Sequence, residues 1–415
     1  MLELPRDPAF DATVPLLRDP YRYISRRASE LGSDAFRTRL MGRRTVCLTG
    51  PAGAALFYRH PALRRQGAIP APVRQVLFGP TGVVQGLDGA RHRRRKAMFL
   101  EMMSEARMDA LDRLVLDRID GRIPAWSDDV DLYRETRTLL AAAACEWSGV
   151  PLGEAEVATR ADQLDDEFRF AGTVGPAHLL GVRSRKETQA WIGGVIDAVR
   201  QGQLDPPHDS PAAIVARWTG LDGAPLPREI AAAELLSVLR PTVAVAVWVV
   251  FLAHALHRHP TLRPAVADDS AYRHAFVQEV RRTYPFFPLL AAIAEDDVPL
   301  DGARILAGSR VLLDLWGTNR HPQAWIDGGA FRPERFRGWP GDPFTMIPQG
   351  GAEYATHHRC PGEWITIRLM EIFADLLAAR LDYRVLTPAA QPDMSRLPAL
   401  PPGGFRIGRV RRRRD

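Results

Sequence analysis

Apolar residues recur at helical spacing, three and four apart, over residues 103–123, 139–147, 188–202, 230–257 and 364–381, and each run predicts a helix. The fourth run differs from the others. Residues 231–255 read AAAELLSVLRPTVAVAVWVVFLAHA, an apolar helix broken only by Glu234, Ser237, Arg240, Pro241, Thr242 and His254. Short β-type runs are fewer: 45–48, 303–306, 310–313 and 383–386. Helices dominate this pattern, and the strands leave room for only a small sheet. Clusters of proline and glycine at 204–211 and 398–404 read as loops within the fold.

Composition adds that a chain of 415 residues, 46% hydrophobic and 25% charged, can bury a large core. Size alone would divide it into two or three domains. Three cysteines without framework spacing suit a reducing compartment, so a cytoplasmic location is expected. Residues 1–8 (MLELPRDP) lack the basic start and apolar stretch of a signal peptide. The run 241–253 is too short to span a bilayer, so no integral membrane anchor is expected. The net charge of +6 is concentrated in part at 406–415 (RIGRVRRRRD), which reads as a solvated tail. No nucleic-acid motif precedes it, and nucleic acid is not expected as a partner.

Candidate chemistry centres on one of the three cysteines. Cys47, in TVCL, and Cys145, in an alanine run, read as small buried hydrophobes. Cys360 lies in residues 348–363 (PQGGAEYATHHRCPGE), where polar and glycine neighbours would make a poor core. A glycine-rich loop that presents one cysteine and leads into a helix is a means of bringing a thiolate to haem iron. Two further features stand out: Glu279 with Arg282 three residues on, and Arg240 followed by Pro241 inside the apolar run. A proline in a helix interior costs about 3 kcal/mol, and a buried guanidinium needs a partner. The planar fork of Arg240 fits a carboxylate bidentately. Alternatively, Pro241 separates two helices and Arg240 reaches out from a helix end.

Taken in this order, the motifs resemble the cytochrome P450 superfamily over nearly the whole chain. Glu279 and Arg282 look like that superfamily's helix pair, with Arg335 in FRPERF (331–336) as the third member that locks the segment beneath the haem. The cysteine loop departs from the usual shorter form that begins with phenylalanine. In this it resembles the fatty-acid peroxygenase branch. Arg240-Pro241 also stands where monooxygenases of the superfamily place an acid–alcohol pair.

The resemblance implies a mainly α fold with a small β-rich lobe, the cytochrome P450 fold, as one domain over residues 1–415. It implies haem b with Cys360 as axial ligand. It also implies hydrogen peroxide as oxidant with no reductase, and a fatty acid whose carboxylate, held by Arg240 beside Pro241, takes the acid–base role. Gln85, in residues 83–99 (VVQGLDGARHRRRKAMF), occupies a position where glutamine accompanies hydroxylation at C2 or C3, and histidine accompanies decarboxylation to a terminal alkene. His92 and Lys96, four apart on one helix face, and Arg65 are implied cationic contacts to the haem propionates. Arg93, Arg94 and Arg95 read as a solvated face. Leu77, Phe78, Val174, Ala244 and Phe287, with Phe286, resemble the walls of the fatty-acid channel. Decarboxylation to alkenes, a reductase-dependent monooxygenase acting on a non-acid substrate, and a non-catalytic haem or lipid carrier remain alternatives.

Overall fold

The chain's most apolar stretch becomes its central helix, Arg228–Arg258, buried from Ala231 to Leu256 except at Ser237 and Pro241. A helix that is apolar on nearly every face is stable in water only when neighbours cover it all round. Here those neighbours are the helices Leu132–Ser148, Glu154–Arg169, Pro176–Arg200 and Glu363–Asp375. The computed structural model describes residues 3–126, 128–387 and 390–413. Pro241 lies inside one continuous helix and does not separate two. It has no N–H to offer Ser237, whose carbonyl therefore lacks its usual donor four residues ahead. Ser237 Oγ and Thr242 Oγ1 donate to the carbonyls of Ala233 and Val238, at 2.9 and 2.8 Å.

Caps explain several of the other boundaries. Ser104 accepts from Arg107 N and opens the helix Glu105–Arg122. Asp131 accepts from Arg134 N and starts Leu132–Ser148 seven residues before the apolar run at 139, and Gly149 ends it in the left-handed conformation. Pro176 begins a 25-residue helix that runs to Arg200. The helix predicted over 364–381 stops at Asp375. A single π turn, Leu376–Arg380, follows, and Leu381 enters a strand.

A five-stranded sheet has the order Ala35–Leu40, Arg43–Leu48, Arg310–Asp314, Leu289–Ala294, Leu63–Arg64. Its one parallel pair joins Arg43–Leu48 to Arg310–Asp314, with Cys47 opposite Leu312. The strands Ala35–Leu40 and Leu289–Ala294 were not expected from the pattern. The architecture is mainly α with a small β-rich part, the fold class read from the motifs.

The cationic C-terminal segment corrects an expectation. Arg406–Arg412 is a strand paired with Leu381–Val385 and Val130–Asp131 rather than a solvated tail, while residues 414 and 415 lie outside the described residues. The positive charges there meet carboxylates: Arg406 with Asp129, Arg412 with Asp120 and Arg413 with Asp382. Among the described residues the central helix alone is long and apolar enough to cross a membrane, and 89% of that apolar window is buried inside the protein.

Candidate active site

The cysteine loop is held from three directions. Its backbone is pinned where Cys360 N donates to Gln349 O (3.0 Å) and Gly351 N to Tyr58 Oη (2.8 Å). At Gly351 a Cβ would lie 2.5 Å from Pro343 O, so the close approach admits only glycine. Arg281 reaches Gln349 Oε1 at 3.0 Å and pairs with Glu363, which also takes Arg359. Beside it, Arg282 donates to Glu279 through Nε and Nη2, both at 2.7 Å. Arg335 Nε stands 3.3 Å from the same carboxylate, and Arg332 N donates to it at 2.7 Å. Arg282 spends its remaining donors on the carbonyls of Asn319, Gly328 and Ala330. Glu279 and Arg282 are wholly buried, and such a pair is tolerated because both carboxylate oxygens and all five guanidinium N–H groups find partners.

Cys47, Cys145 and Cys360 are free thiols. Burial pushes all three thiols above the ordinary range, Cys145 to about 12. At Cys360 burial and Glu363 push the thiol up, against the Gly362 N–H and the cations Lys96 and Arg281; at Cys145 only Arg160 and Arg118 oppose burial. Among the described residues no cluster of three or more His, Cys, Asp or Glu could bind a metal by itself. One sulfur in a braced loop is a donor set suited to an iron whose other positions are filled by a macrocycle, so these residues fit a haem.

The neighbouring cations are placed unequally. Lys96 donates to Arg359 O and, at 3.2 Å, to His357 O, and so clamps the cysteine loop. Burial brings its ammonium down to about 8. His92 stacks on His358 with ring centroids 3.7 Å apart. Burial, then Lys96 and Arg65, hold His92 near 4, so at neutral pH it is an uncharged ring rather than the cation expected. Arg65 lies over the ring of Phe57 (3.9 Å), donates to Ala291 O at 3.1 Å, and lines the main cavity together with His358.

That cavity has a volume of about 940 Å³. Leu77, Phe78, Gln85 and Phe287 line it, as does Val174, but Val174 is 76% exposed and therefore forms rim rather than wall. Ala244 and Arg240 are buried and do not line it. Arg240 is 5% exposed, its guanidinium 5.5 Å from the Phe78 ring centroid. Burial lowers its pKa to about 10, Glu167 opposing and Arg185 adding to the shift, and the group stays protonated at neutral pH. Arg240 Nη1 is buried without a hydrogen-bond partner. The same holds for Gln85 Oε1, whose amide nitrogen touches Ser237 Oγ at 3.4 Å.

Three acidic or basic partners in this region escaped the sequence reading. Glu234 Oε1 accepts from Val84 N at 2.9 Å and pairs with Arg95, fastening the Gln85 segment to the central helix. Burial raises the Glu234 carboxyl to about 7 against the pull of Arg95. Arg95 is thus buried, contrary to the solvated face expected for residues 93–95, because its helix packs that side toward Glu234. The third is Glu167, wholly buried, with Oε2 3.0 Å from Arg185 Nη1 and 3.7 Å from Arg240 Nη1. The one advance signal was Glu234, a charge inside an apolar run.

A family model described as cytochrome P450 matches residues 257–398. A solved variant of cytochrome P450SP alpha (CYP152B1) is similar over 97% of this chain and 100% of its own, at 40% identity and a TM-score of 0.95. Wild-type cytochrome P450EX alpha (CYP152N1) with myristic acid is similar over the whole of both chains, at 34% identity and a TM-score of 0.96. A variant of cytochrome P450 OleT in complex with arachidonic acid is likewise similar over both whole chains, at 32% and 0.96. Of curated proteins, cytochrome P450 71D180 of Thymus vulgaris is 33% identical over 145 residues, 33% of this chain and 28% of that protein's length. The match therefore spans less than a third of this curated relative.

Proposed function

Because the chain belongs to the cytochrome P450 superfamily, in the branch of the CYP152 proteins, we propose that it is a haem-thiolate peroxygenase that hydroxylates fatty acids at C2 or C3 with hydrogen peroxide. The observation that carries this reading is Arg240, a buried guanidinium with a free Nη1 beside Pro241, set behind the Phe78 ring that lines the cavity. Relatives solved with myristic and arachidonic acids support the substrate class.

Bound haem would supply the iron at which peroxide is cleaved, and the Cys360 thiolate would donate electron density that favours O–O cleavage. Cys360 would hold that iron, while Arg65 and Lys96 would offer positive charge, and His92 and His358 neutral donors, to its propionates. Arg240 would bind the fatty-acid carboxylate through its fork and keep it ionised. A carboxylate so placed can accept a proton at one oxygen and return it, a role for which typical general acid–base catalysis supplies ~10²–10⁴-fold. Anchoring the head group fixes which carbons lie at the reacting centre, which selects C2 and C3. Pro241 removes an N–H from the helix and leaves the Ser237 carbonyl free near Gln85. Leu77, Phe78 and Phe287 would exclude water from the chain, with Val174 at the rim. Gln85 offers a neutral amide that cannot relay a proton as an imidazole can, which favours hydroxy acid over alkene.

In this reading Glu279, Arg282 and Arg335 are structural, residues 1–415 act as one domain, and the enzyme works in the cytoplasm without reductase, membrane anchor or nucleic acid. The test is incubation with myristic acid and hydrogen peroxide, without reductase, and chromatography of the products. Hydroxymyristic acids should dominate. Turnover that requires a reductase, or binding without any peroxide-dependent product, would overturn the proposal.

A further inference from the structure

Arg240 does not stand alone. Glu167, on the helix Glu154–Arg169, places one carboxylate oxygen 3.0 Å from Arg185 and 3.7 Å from Arg240, while the other accepts the hydroxyl of Thr188. Arg185 in turn donates to Phe78 O at 3.1 Å, and the Phe78 ring faces Arg240. These contacts close a ring through Phe78, Arg240, Glu167 and Arg185, contributed by four separate segments. Gly79 is required beside it: its φ is +84°, and a Cβ there would lie 2.5 Å from Arg185 Nη2. All three charged members are buried, so their charges interact with little screening.

The bonding of Glu167 decides what it can do. Thr188 and Arg185 occupy its oxygens at hydrogen-bond length, whereas the 3.7 Å to Arg240 exceeds that length and leaves Arg240 Nη1 without a partner. Glu167 therefore tempers the charge of Arg240 without saturating its donors. Two guanidiniums and one carboxylate leave a net charge of +1, the complement of one ionised carboxylate.

We propose that Glu167 and Arg185 set the charge of the Arg240 site, so that it selects a ligand bearing one carboxylate and holds it with moderated strength. The inference rests on the reading of Arg240 as carboxylate anchor. Glu167 and Arg185 are then specificity-determining residues that act through Arg240.

The test is titration of the haem-loaded protein with myristic acid and with 1-tetradecanol, followed by the ligand-induced change in the haem absorption spectrum. The ratio of the two dissociation constants reports head-group charge and cancels general damage to the channel. Glu167→Gln, which leaves +2, should shift the ratio about fivefold or more toward the acid, and Arg185→Gln, which leaves 0, about as far toward the alcohol. Glu167→Asp, which keeps the charge, should leave the ratio near wild type. If Glu167→Gln does not fold, Arg185→Gln decides alone by the same ratio. Acid and alcohol weakened equally in both variants would overturn the proposal and mark the ring as structural. Arg240→Ala separates the two readings. Collapse of its ratio with no shift in the other variants refutes this inference alone, whereas an unchanged ratio in Arg240→Ala refutes the anchor itself.

Discussion

The two sides of the site satisfy their polar groups differently. Beneath the cysteine loop, Glu279, Arg281, Arg282, Gln349 and Glu363 are buried or nearly so, and each spends its donors or acceptors on protein. On the side of the central helix, Arg240 Nη1, Gln85 Oε1, Glu234 Oε2 and Arg185 Nε are buried without partners. An unpaired buried polar atom costs roughly 1–3 kcal/mol, so four of them in one region are retained against stability. The first side braces a loop. The second leaves donors and acceptors unpaired, which the proposed carboxylate would use at Arg240.

Breaking the braced side should have the largest effect. Glu279→Ala strands Arg282 and Arg335 in a dry environment, at a cost of about 3–5 kcal/mol. Soluble protein should fall sharply and haem incorporation with it, as measured by yield and absorbance. Wild-type thermal stability in that variant would erase the contrast.

Arg240→Ala should behave in the opposite way. Glu167 keeps Arg185 and Thr188 as partners, so the melting temperature should change little, while peroxide-driven turnover of myristic acid falls by about a hundredfold or more. Unfolding of this variant would show that Arg240 is part of the brace.

A satisfied group on the same helix gives the intermediate case. His254 Nδ1 meets Tyr284 Oη at 2.7 Å and Nε2 meets Ala390 O at 3.1 Å. Burial holds its pKa near 4, below the usual 6.5, so the folded state favours the neutral ring. That preference contributes fully above pH 6.5 and is lost as pH falls from 6.5 through 4, by at most roughly 3 kcal/mol. Denaturant midpoints across this window should drop with acid, and His254→Phe should flatten the slope.

Gln85→His should have the smallest effect. The Gln85 segment is fastened by Glu234 through Val84 N, so the exchange changes the chemistry of one side chain more than its position. The alkene fraction should rise without becoming the main product, as gas chromatography of wild type and variant would show. Alkene as the major wild-type product would reverse the role assigned to Gln85.

What the sequence made legible follows the same division. Cys360, Arg240 and Pro241 could be read because each is a residue type at odds with its surroundings: a cysteine among glycines, and a charge and a proline in an apolar helix. Glu279, Arg282 and Arg335 were legible only as a motif. Glu167, Arg185 and Arg281 were not, since in amphipathic helices rich in Asp, Glu and Arg nothing local separates a solvated charge from one that meets a buried partner. Arg95 was misread for that reason, and Arg406–Arg412 because its strand pairing and the carboxylates that meet Arg406 and Arg412 lie far away in the sequence. The strands Ala35–Leu40 and Leu289–Ala294 depend on pairing with distant segments, which local pattern does not record.

Pro241 has one more consequence, for the mechanics of the central helix. With no amide to close the ring onto Ser237, the rod carries a seam one residue beyond Arg240. The turns before it hold Glu234 and the Gln85 segment; those after it, Thr242 through Leu256, are buried at every position. If Arg240 anchors the carboxylate as proposed, a seam beside it would let the half before it adjust to the ligand while the far half stays still. In hydrogen–deuterium exchange the two halves should then behave as separate units, the first loosening and tightening with ligand and the second scarcely responding.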